Sequence, residues 1–174
     1  MNDHLWTIYD SPLGPLTLIG SPRGLASLQF PGHAGPLPRA DWRPRAFPAV
    51  LEQLEAYFAG ERQAFELELD LVGTEFQRRV WAELQQVPYG STISYSGLAR
   101  AIGRSDRARA VGAAVGRTPV PIVVPCHRAV AADGALTGYR GGLERKRALL
   151  DLEAQGAAGL HPQFAWMFRQ LTLS

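Results

Sequence analysis

Short apolar runs separated by turn residues open the chain. Between the runs stand clusters of Gly, Pro, Ser and Asp, and this alternation is typical of a small antiparallel meander of strands. A proline-rich stretch, 31–48, follows and predicts an irregular connection without a regular element. The three predicted strands cover residues 5–9, 16–19 and 25–30.

A helix and one more strand complete the first part of the chain. Apolar residues from Val50 to Phe58 fall on one helical face, and Gly60 supplies the end of the helix. Apolar residues alternate with polar ones over 65–71, which predicts one half-buried strand. Together these elements predict a small α/β domain with an antiparallel sheet over residues 1–73.

The character of the chain changes at Thr74. Thr74 and Gln77 have the spacing of a helix capping box, and the buried stripe of the helix that they begin continues to Leu84. We place the domain division before Thr74, so that a second domain covers residues 74–174.

Two short helices joined by a glycine-containing turn follow in the second domain. Ser94 or Ser96 can cap the first helix, and the second covers 107–115. Two short helices joined in this way have the outline of a helix-turn-helix unit.

A hairpin and a last helix are predicted after this unit. The dipeptide 133–134, Asp-Gly, is a typical hairpin turn, here between 129–132 and 135–137, and such a hairpin would form a wing beside the helix-turn-helix unit. A final helix is predicted over 144–153. The predicted fold class is therefore α+β, with a mostly helical second domain.

The balance of charges changes at the predicted domain division. The 174 residues include 18 bases and 16 acids, so the net charge is only +2. Residues 1–73 hold five bases and nine acids, a net charge of −4, whereas residues 74–174 hold 13 bases and seven acids, a net charge of +6. A basic second part indicates either an anionic partner, with nucleic acid as the first candidate, or a solvated basic face.

Composition excludes several classes of protein. Apolar residues make up 46% and charged residues 20% of the chain, as in ordinary globular proteins. We find no apolar run of membrane-spanning length and no secretory signal at the N-terminus, so a cytoplasmic protein is expected. Cys126 is the only cysteine, which excludes an internal disulfide framework and a multi-cysteine metal site.

The second helix of the helix-turn-helix unit carries small residues flanked by arginines. Small side chains let a helix backbone approach a surface closely, and arginines can then reach phosphates or the minor groove of DNA. A tightly packed internal helix with solvent-facing arginines is the alternative. The candidate DNA contacts are Ala108, Arg109, Ala110, Gly112, Ala113 and Arg117.

Cys126 follows a proline-bracketed apolar segment, 119–125, that is expected to be buried. A lone cysteine is often an inert apolar group. However, His127 offers a neighbouring base and Arg128 a positive potential that would favour thiolate, so Cys126 is also a candidate nucleophile. Adjacent side chains on an extended segment point to opposite faces, so proton transfer to His127 would need a bend or a water molecule.

The sequence Pro-Cys-His-Arg at 125–128 resembles the active-site signature of the O6-alkylguanine-DNA alkyltransferases, also called methylated-DNA–protein-cysteine methyltransferases. The resemblance is close from about residue 74 to residue 155 and looser upstream. Further matches at the family's spacing are Ile93-Ser94-Tyr95, Ala108-Arg109-Ala110-Val111-Gly112, Pro119-Val120-Pro121-Ile122, Gly138-Tyr139 and Leu149-Leu150-Asp151-Leu152-Glu153, with Ser11-Pro12-Leu13-Gly14 and Tyr57-Phe58-Ala59-Gly60 upstream.

This resemblance implies direct DNA repair by a protein that acts once. An alkyl group on guanine O6, and also on thymine O4, would move irreversibly to the cysteine sulfur after the damaged nucleotide has been flipped out of the duplex. The resemblance further implies a ribonuclease H-like first domain and a winged helix-turn-helix second domain. It also implies a monomer that binds double-stranded DNA through the minor groove without a cofactor.

The resemblance also implies a role for each site residue. Cys126 would accept the alkyl group, His127 would take its proton through a water molecule, and Glu153 would orient the imidazole. A lowered thiol pKa is expected to supply thiolate at neutral pH. Tyr95 would help to rotate the nucleotide outward and would protonate the leaving base, while Arg109 would fill the vacated place in the stack. The implied substrate pocket consists of Thr118, Pro121, Ala129, Tyr139 and Arg140.

Each of these residues, taken singly, also has an ordinary structural interpretation. Tyr95 and Tyr139 could be half-buried aromatic residues, Glu153 a surface acid, and Arg109 the partner of Asp106 on one helix.

Three features depart from the family's pattern. Thr118 stands where asparagine is usual, so the turn before the active-site segment is expected to be looser or differently braced. Ala129 replaces a usual valine, a mild change if that position contributes its backbone carbonyl to the guanine. Some relatives carry zinc in the first domain through cysteine and histidine, and with no second cysteine we expect no metal here.

Three other functions fit parts of the sequence. A lesion-binding relative without transfer activity would lack the cysteine. A sequence-specific DNA regulator would need Asn or Gln on the second helix to read base edges. A cysteine hydrolase would need an oxyanion site and a histidine from elsewhere in the chain. Beyond the matched region, the apolar tail 164–168 is expected to dock on the body of the protein.

Overall fold

A computed structural model gives the fold of the chain and describes residues 3–33 and 39–159. The first half contains a sheet of four strands, β1 (Leu5–Ser11), β2 (Gly14–Ser21), β3 (Gly24–Gln29) and β4 (Asp41–Trp42). Their order across the sheet is β3-β2-β1-β4, and the antiparallel pairs β1–β2 and β2–β3 confirm the predicted meander.

The proline-rich connection contains more regular structure than predicted. β4 pairs with β1 in parallel, and α1 (Pro48–Phe58) begins at Pro48 itself. Proline suits the start of a helix because the first N–H groups have no partner within the helix. The prediction of an irregular 31–48 was therefore wrong at these two places, and residues 34–38 of this stretch lie outside the described chain.

The helix α1 covers the sheet with its apolar face, as the sequence predicts. Its buried side chains join the core formed by the leucines of β2 and β3, and Gly60 follows at a φ of 76°, a left-handed conformation that ends the helix. The buried residues of α1 are Val50, Leu54, Tyr57 and Phe58.

The segment 65–71 is extended but is not a strand of the sheet. The predicted alternation of half-buried and exposed side chains is present over 65–69. The segment forms a single bridge between Leu25 of β3 and Leu69. Two backbone hydrogen bonds tie it to β3, from the Leu25 N–H to the Glu68 carbonyl and from the Asp70 N–H to the Leu25 carbonyl, both 2.9 Å. Two bonds are too few for a regular ladder, so the prediction of a strand was wrong.

The second half consists mainly of helices. The predicted capping box is present, with the Thr74 and Gln77 side chains each bonded to the other residue's backbone N–H. Ser94, the first of the two predicted candidates, caps its helix by accepting from the Gly97 N–H at 2.9 Å. The elements are α2 (Glu75–Leu84), β5 (Ile93–Ser94), α3 (Tyr95–Ala101), α4 (Ala108–Gly116), β6 (Ala129–Val130) and α5 (Leu143–Ala157).

The predicted hairpin after the helix-turn-helix unit is a turn without paired strands. The Gly134 N–H donates to the Ala131 carbonyl at 2.8 Å, which closes the turn. Beyond it, however, β6 pairs in parallel with β5, and the Thr137 carbonyl accepts from the Lys146 ammonium at 3.0 Å. One backbone hydrogen bond, from the Ala131 N–H to the Ala135 carbonyl at 3.0 Å, joins the two arms, so the predicted turn is confirmed and the prediction of paired strands was wrong.

One apolar core crosses the predicted domain division. Val120 and Ile122, from the segment before Cys126, and Leu149 and Leu152 of α5 pack with the side chains of the sheet and α1. A second core lies among α2, α3 and α4. The segment that leads to Cys126 is therefore held between the two halves of the molecule, and the division before residue 74 stays a prediction.

Two further predictions concern the ends and the surface of the chain. The tail 164–168 lies outside the described residues. Within residues 3–33 and 39–159, no helix combines the length and the apolar composition needed to cross a membrane.

Candidate active site

The chain turns sharply at Cys126. The segment before it is buried throughout 120–125 and includes Ile122 at a φ of 76°, a rare conformation for a β-branched residue. Cys126–Arg128 then form one turn of 3-10 helix, and all three side chains are buried. The expectation of an extended segment here was wrong, and the turn supplies a bend, one of the two routes by which the proton of Cys126 was expected to reach His127.

A buried carboxylate holds the imidazole of His127. Glu153, on α5, accepts a hydrogen bond from His127 Nε2 at 2.7 Å, and both side chains are fully buried. The proton on Nε2 leaves Nδ1 as the acceptor of the neutral ring. Nδ1 is buried and has no hydrogen-bond partner among the described residues. The geometry therefore pairs Glu153 with His127 as predicted and leaves one imidazole nitrogen able to accept a proton.

Arg128 is the second partner of Glu153. Its Nε and a terminal nitrogen donate to the two carboxylate oxygens at 2.8 Å each, and its other terminal nitrogen donates to the Val87 carbonyl at 2.6 Å. Burial alone would raise the pKa of Glu153, but the charges and hydrogen bonds of His127 and Arg128 hold it at about 2. The Arg128 charge is thus committed to Glu153, so the expectation that it promotes the Cys126 thiolate was wrong.

The Cys126 thiol is protonated in the protein without DNA. Burial raises the pKa of the thiol to about 11, although the Thr118 hydroxyl and the Lys146 charge act in the opposite direction. The expectation of a lowered pKa was therefore wrong. At neutral pH this sulfur becomes nucleophilic only if a base takes its proton during the reaction.

We expect the thiol of the folded protein to react slowly with iodoacetamide at neutral pH. A shift of the pKa from 9.0 to about 11 lowers the thiolate fraction roughly a hundredfold, because each unit is a factor of ten. The rate of modification, followed by mass spectrometry, should rise with pH up to about 11. The same chain unfolded in urea is the control and should level off near pH 9. A folded protein that levels off there as well would contradict the effect of burial.

A cavity of about 370 Å³ opens beside the thiol. It is lined by Cys126 and by six other residues predicted for the site, including Tyr95 and Gly112. Ala129 does not line the cavity. It is fully buried, and its carbonyl accepts from Lys146 Nζ at 2.6 Å. The remaining predicted residues in the lining are Thr118, Pro121, Tyr139 and Arg140, and the lining also contains Val115, Gly116, Thr137 and Gly138.

Two tyrosines stand at the cavity. Tyr95, the first residue of α3, donates from its hydroxyl to the Thr137 carbonyl at 3.3 Å. The Tyr139 ring packs edge-on against Phe30 of the sheet, with ring centres 5.7 Å apart, and its hydroxyl is buried near the Cys126 thiol. Burial and the nearby thiol raise the pKa of Tyr139 well above its usual value. The Tyr139 hydroxyl is thus protonated at neutral pH.

The outer face of α4 continues from the cavity. Arg109, Ala113 and Arg117 are exposed, while Ala108 and Ala110 are half-buried. The alternative partner of Arg109 is already occupied, because the Asp106 carboxylate pairs with Arg104 at 3.3 Å and with Arg107 at 3.8 Å. Since Gly112 of the same helix lines the cavity, the arginine-bearing face and the thiol share one side of the molecule.

Thr118 braces the end of α4. Its buried hydroxyl donates to the Val115 carbonyl at 2.7 Å, so the turn is braced within itself, one of the two possibilities expected for threonine in place of asparagine. As for metals, the described residues contain no group of three or more His, Cys, Asp and Glu side chains placed to hold an ion.

Sequence reasoning missed two buried groups beside the site. Lys146 is fully buried, bonds to the carbonyls of Ala129 and Thr137, and lies 6.0 Å from the centre of the Tyr95 ring. Burial lowers the pKa of Lys146. It is the only lysine among 18 bases, and this exception in the sequence could have drawn attention to it. Tyr57 belongs to a motif noted for its resemblance alone, yet its hydroxyl donates to Glu153 at 2.7 Å.

Comparisons with known proteins agree on one family. Residues 75–155 match the model of the 6-O-methylguanine DNA methyltransferase DNA-binding domain, and residues 4–71 match that of the ribonuclease-like domain of the same proteins. A methylated-DNA–protein-cysteine methyltransferase from Mycolicibacterium paratuberculosis is 54% identical over 146 residues, which cover 83% of this chain and 88% of that protein. The one from Mycobacterium bovis is 51% identical over 156 residues, 88% of this chain and 94% of that protein.

A solved structure matches the fold as well as the sequence. The crystal structure of Mycobacterium tuberculosis OGT in complex with DNA superposes with a TM-score of 0.84 at 49% sequence identity. The match covers 87% of this chain and 94% of that one. The predicted combination of a ribonuclease-like first domain and a helical DNA-binding second domain is confirmed.

Proposed function

This chain belongs to the methylated-DNA–protein-cysteine methyltransferases, which repair DNA directly, and we propose that it moves an alkyl group from guanine O6 in double-stranded DNA to the sulfur of Cys126. The group stays on the sulfur, so each molecule acts once. The observation that carries the proposal is the position of the thiol. It forms part of the wall of a 370 Å³ cavity, and the residue next to it, His127, is held by a buried carboxylate.

His127 takes the proton of the thiol in this proposal. Because Glu153 accepts from Nε2, the free nitrogen Nδ1 is the base, and a water molecule carries the proton from sulfur to Nδ1. The Glu153 carboxylate stabilises the imidazolium that forms. Its low pKa, about 2, means that it keeps its charge and does not itself become protonated.

The thiolate then attacks the alkyl carbon. A sulfur–carbon bond forms, the bond between that carbon and O6 breaks, and the electron pair moves into the guanine ring. Tyr95 donates its hydroxyl proton to the base, which makes guanine a better leaving group, and the proton held by His127 returns to the phenolate through solvent. In sum, the thiol proton replaces the alkyl group on guanine and the thioether remains on the protein.

The damaged nucleotide reaches the thiol by leaving the duplex. The small residues of α4 let the helix approach the minor groove closely, and the exposed Arg109 and Arg117 meet the negative charge of DNA. The Arg109 side chain takes the place of the flipped base in the base stack. It thereby offsets part of the free-energy cost of flipping, which is a few kcal/mol. Tyr139 and Arg140, both on the cavity wall, close over the flipped base. Activity on O4-alkylthymine, a monomeric state and a cytoplasmic location belong to the same proposal.

A titration tests the proposed reaction. A duplex that contains O6-methylguanine is added in increasing excess to a fixed amount of protein. At completion, the number of lesions restored to guanine and the number of methylated protein molecules are measured. We expect both to level off at one per chain. A cysteine hydrolase releases product beyond one per chain, and a binding protein without transfer activity leaves the lesion intact. Either result would refute the proposal.

Arg109→Ala is expected to slow methyl transfer on duplex DNA about tenfold or more. Without the arginine side chain in the base stack, the free-energy cost of flipping the nucleotide is higher. On single-stranded DNA, where no stack has to be filled, the variant should react like the unmodified protein. Arg117→Ala is the matched control and should weaken binding to both substrates without a separate loss in rate on the duplex. The measurements are single-turnover rates and dissociation constants. Equal rates on both substrates for each protein would contradict the role of Arg109.

A further inference from the structure

The first domain contributes a side chain to the hydrogen bonds around Glu153. Tyr57 lies near the end of α1 and is fully buried. Its hydroxyl crosses from the first half of the chain and donates to Glu153 Oε1 at 2.7 Å, over a separation of 96 residues in sequence. A buried hydroxyl needs a hydrogen-bond partner. This hydroxyl ends on the carboxylate that holds His127.

Three donors converge on one oxygen of that carboxylate. Glu153 Oε1 accepts from Tyr57 at 2.7 Å, from His127 Nε2 at 2.7 Å and from a terminal nitrogen of Arg128 at 2.8 Å. The other oxygen accepts from Arg128 Nε. The first oxygen therefore has its negative charge shared among three hydrogen bonds, and any change in one of them alters its attraction for the imidazole.

The ring of Tyr57 is fixed by aromatic neighbours from both halves of the molecule. Phe65 lies 5.2 Å away between ring centres, and Tyr89, after α2, meets it edge-on at 6.2 Å. Burial, with the Glu153 charge in second place, raises the pKa of Tyr57 well above its usual value. The hydroxyl thus stays protonated and keeps donating at every pH at which the protein works.

We propose that Tyr57 is a positioning residue for alkyl transfer, a contribution of the first domain that fixes Glu153 and limits its attraction for the His127 proton. This proposal rests on the proposed function. Without the Tyr57 hydroxyl, Oε1 has more negative charge for His127, so the imidazole holds a proton more tightly. An imidazole that is already protonated cannot accept the proton of the Cys126 thiol.

The pH dependence of transfer should therefore report the Tyr57 contact. The other charged and titratable groups that face the Glu153–His127 pair are Arg128, from the same turn as His127, and Tyr89 and Tyr139, from the loops before α3 and α5. None of these is altered by the substitution Tyr57→Phe, which removes one oxygen atom and keeps the packed ring.

Tyr57→Phe is compared with Tyr89→Phe in single-turnover transfer from pH 5 to pH 9. Tyr89 is the matched control because it lies in the same aromatic cluster but its hydroxyl faces the Leu152 carbonyl at 3.5 Å. For Tyr57→Phe we expect the rate constant at pH 7 to fall about tenfold, a part of the hundredfold or more that a general base contributes. The acid limb of the profile should move to higher pH. The dissociation constant for DNA should not change, and Tyr89→Phe should keep the profile of the unmodified protein.

The background Glu153→Gln separates positioning from structure. If Tyr57 acts through Glu153, adding Tyr57→Phe to Glu153→Gln lowers the rate no further. A wild-type rate and acid limb for Tyr57→Phe, or an equal loss in both backgrounds, would overturn the role of Tyr57 and leave the proposed function intact. Failure of the proposed function itself would show differently, as an absence of methyl transfer by the unmodified protein.

Discussion

A chain with Cys126 replaced by alanine is expected to transfer no alkyl group, although it still folds and still binds DNA. The thiol is the one cysteine of the chain, so no second thiol can replace it. Alanine removes a single buried atom, which costs about 1 kcal/mol of stability. Because the two arginines proposed to contact DNA lie on α4 and directly after it, outside the turn that carries the thiol, the affinity for a duplex with O6-methylguanine should be retained.

The measurement combines methyl transfer with the dissociation constant of the same duplex. Cys126→Ser is the closest control, since it exchanges one atom and keeps the size of the side chain. A hydroxyl is a far weaker nucleophile than a thiol, so this variant should also be inactive. Loss of the lesion in the presence of either variant would mean that another group accepts the alkyl group.

Glu153→Gln is expected to lower both the rate of transfer and the stability of the fold. The buried Arg128 would lose its charged partner, and breaking a buried pair costs about 3–5 kcal/mol. An amide also cannot stabilise the imidazolium of His127, so we expect the rate to fall by about two to three orders of magnitude. Glu144→Gln, an exposed acid in the first turn of α5, is the control and should change neither quantity.

The pH dependence of stability tests whether Glu153 is charged in the folded protein. The pKa of Glu153 is lowered from 4.5 to about 2 in the folded protein, so its carboxylate stabilises the fold above pH 4.5, and this contribution is lost as the pH falls toward 2. The difference in melting temperature between the unmodified protein and Glu153→Gln should therefore be largest above pH 4.5 and shrink in acid. A difference that stays constant from pH 7 to pH 2 would contradict the charged state of Glu153.

The elements that follow from local chemistry could be predicted from the sequence. The strands of the meander, the capping box at Thr74 and the helix that ends before Gly60 each depend on residues close together in the chain. The turn at 133–134 was predicted correctly, but the paired strands beside it were wrong, because the groups that decide their pairing are remote. The Thr137 carbonyl accepts from Lys146 of α5, and β6 pairs with β5, about 35 residues earlier.

Some features of the candidate site could likewise be predicted from the sequence, and others could not. The pairing of His127 with Glu153 was expected because the order of motifs resembles a known family, not because their spacing requires it. The pKa of Cys126 could not be predicted, since Arg128 beside it in the sequence points its charge at Glu153 instead. Tyr57, nearly a hundred residues from Glu153, gave no sign of its contact, because only the packing of the two halves brings the hydroxyl to the carboxylate.

Peptide mapping by mass spectrometry identifies the residue that accepts the methyl group. The unmodified protein is incubated with an equal amount of duplex that contains O6-methylguanine and is then digested. We expect one added methyl group on the peptide that contains Cys126, in an amount equal to the lesion lost. An unmodified peptide alongside a repaired duplex, or a methyl group on any other residue, would contradict transfer to Cys126.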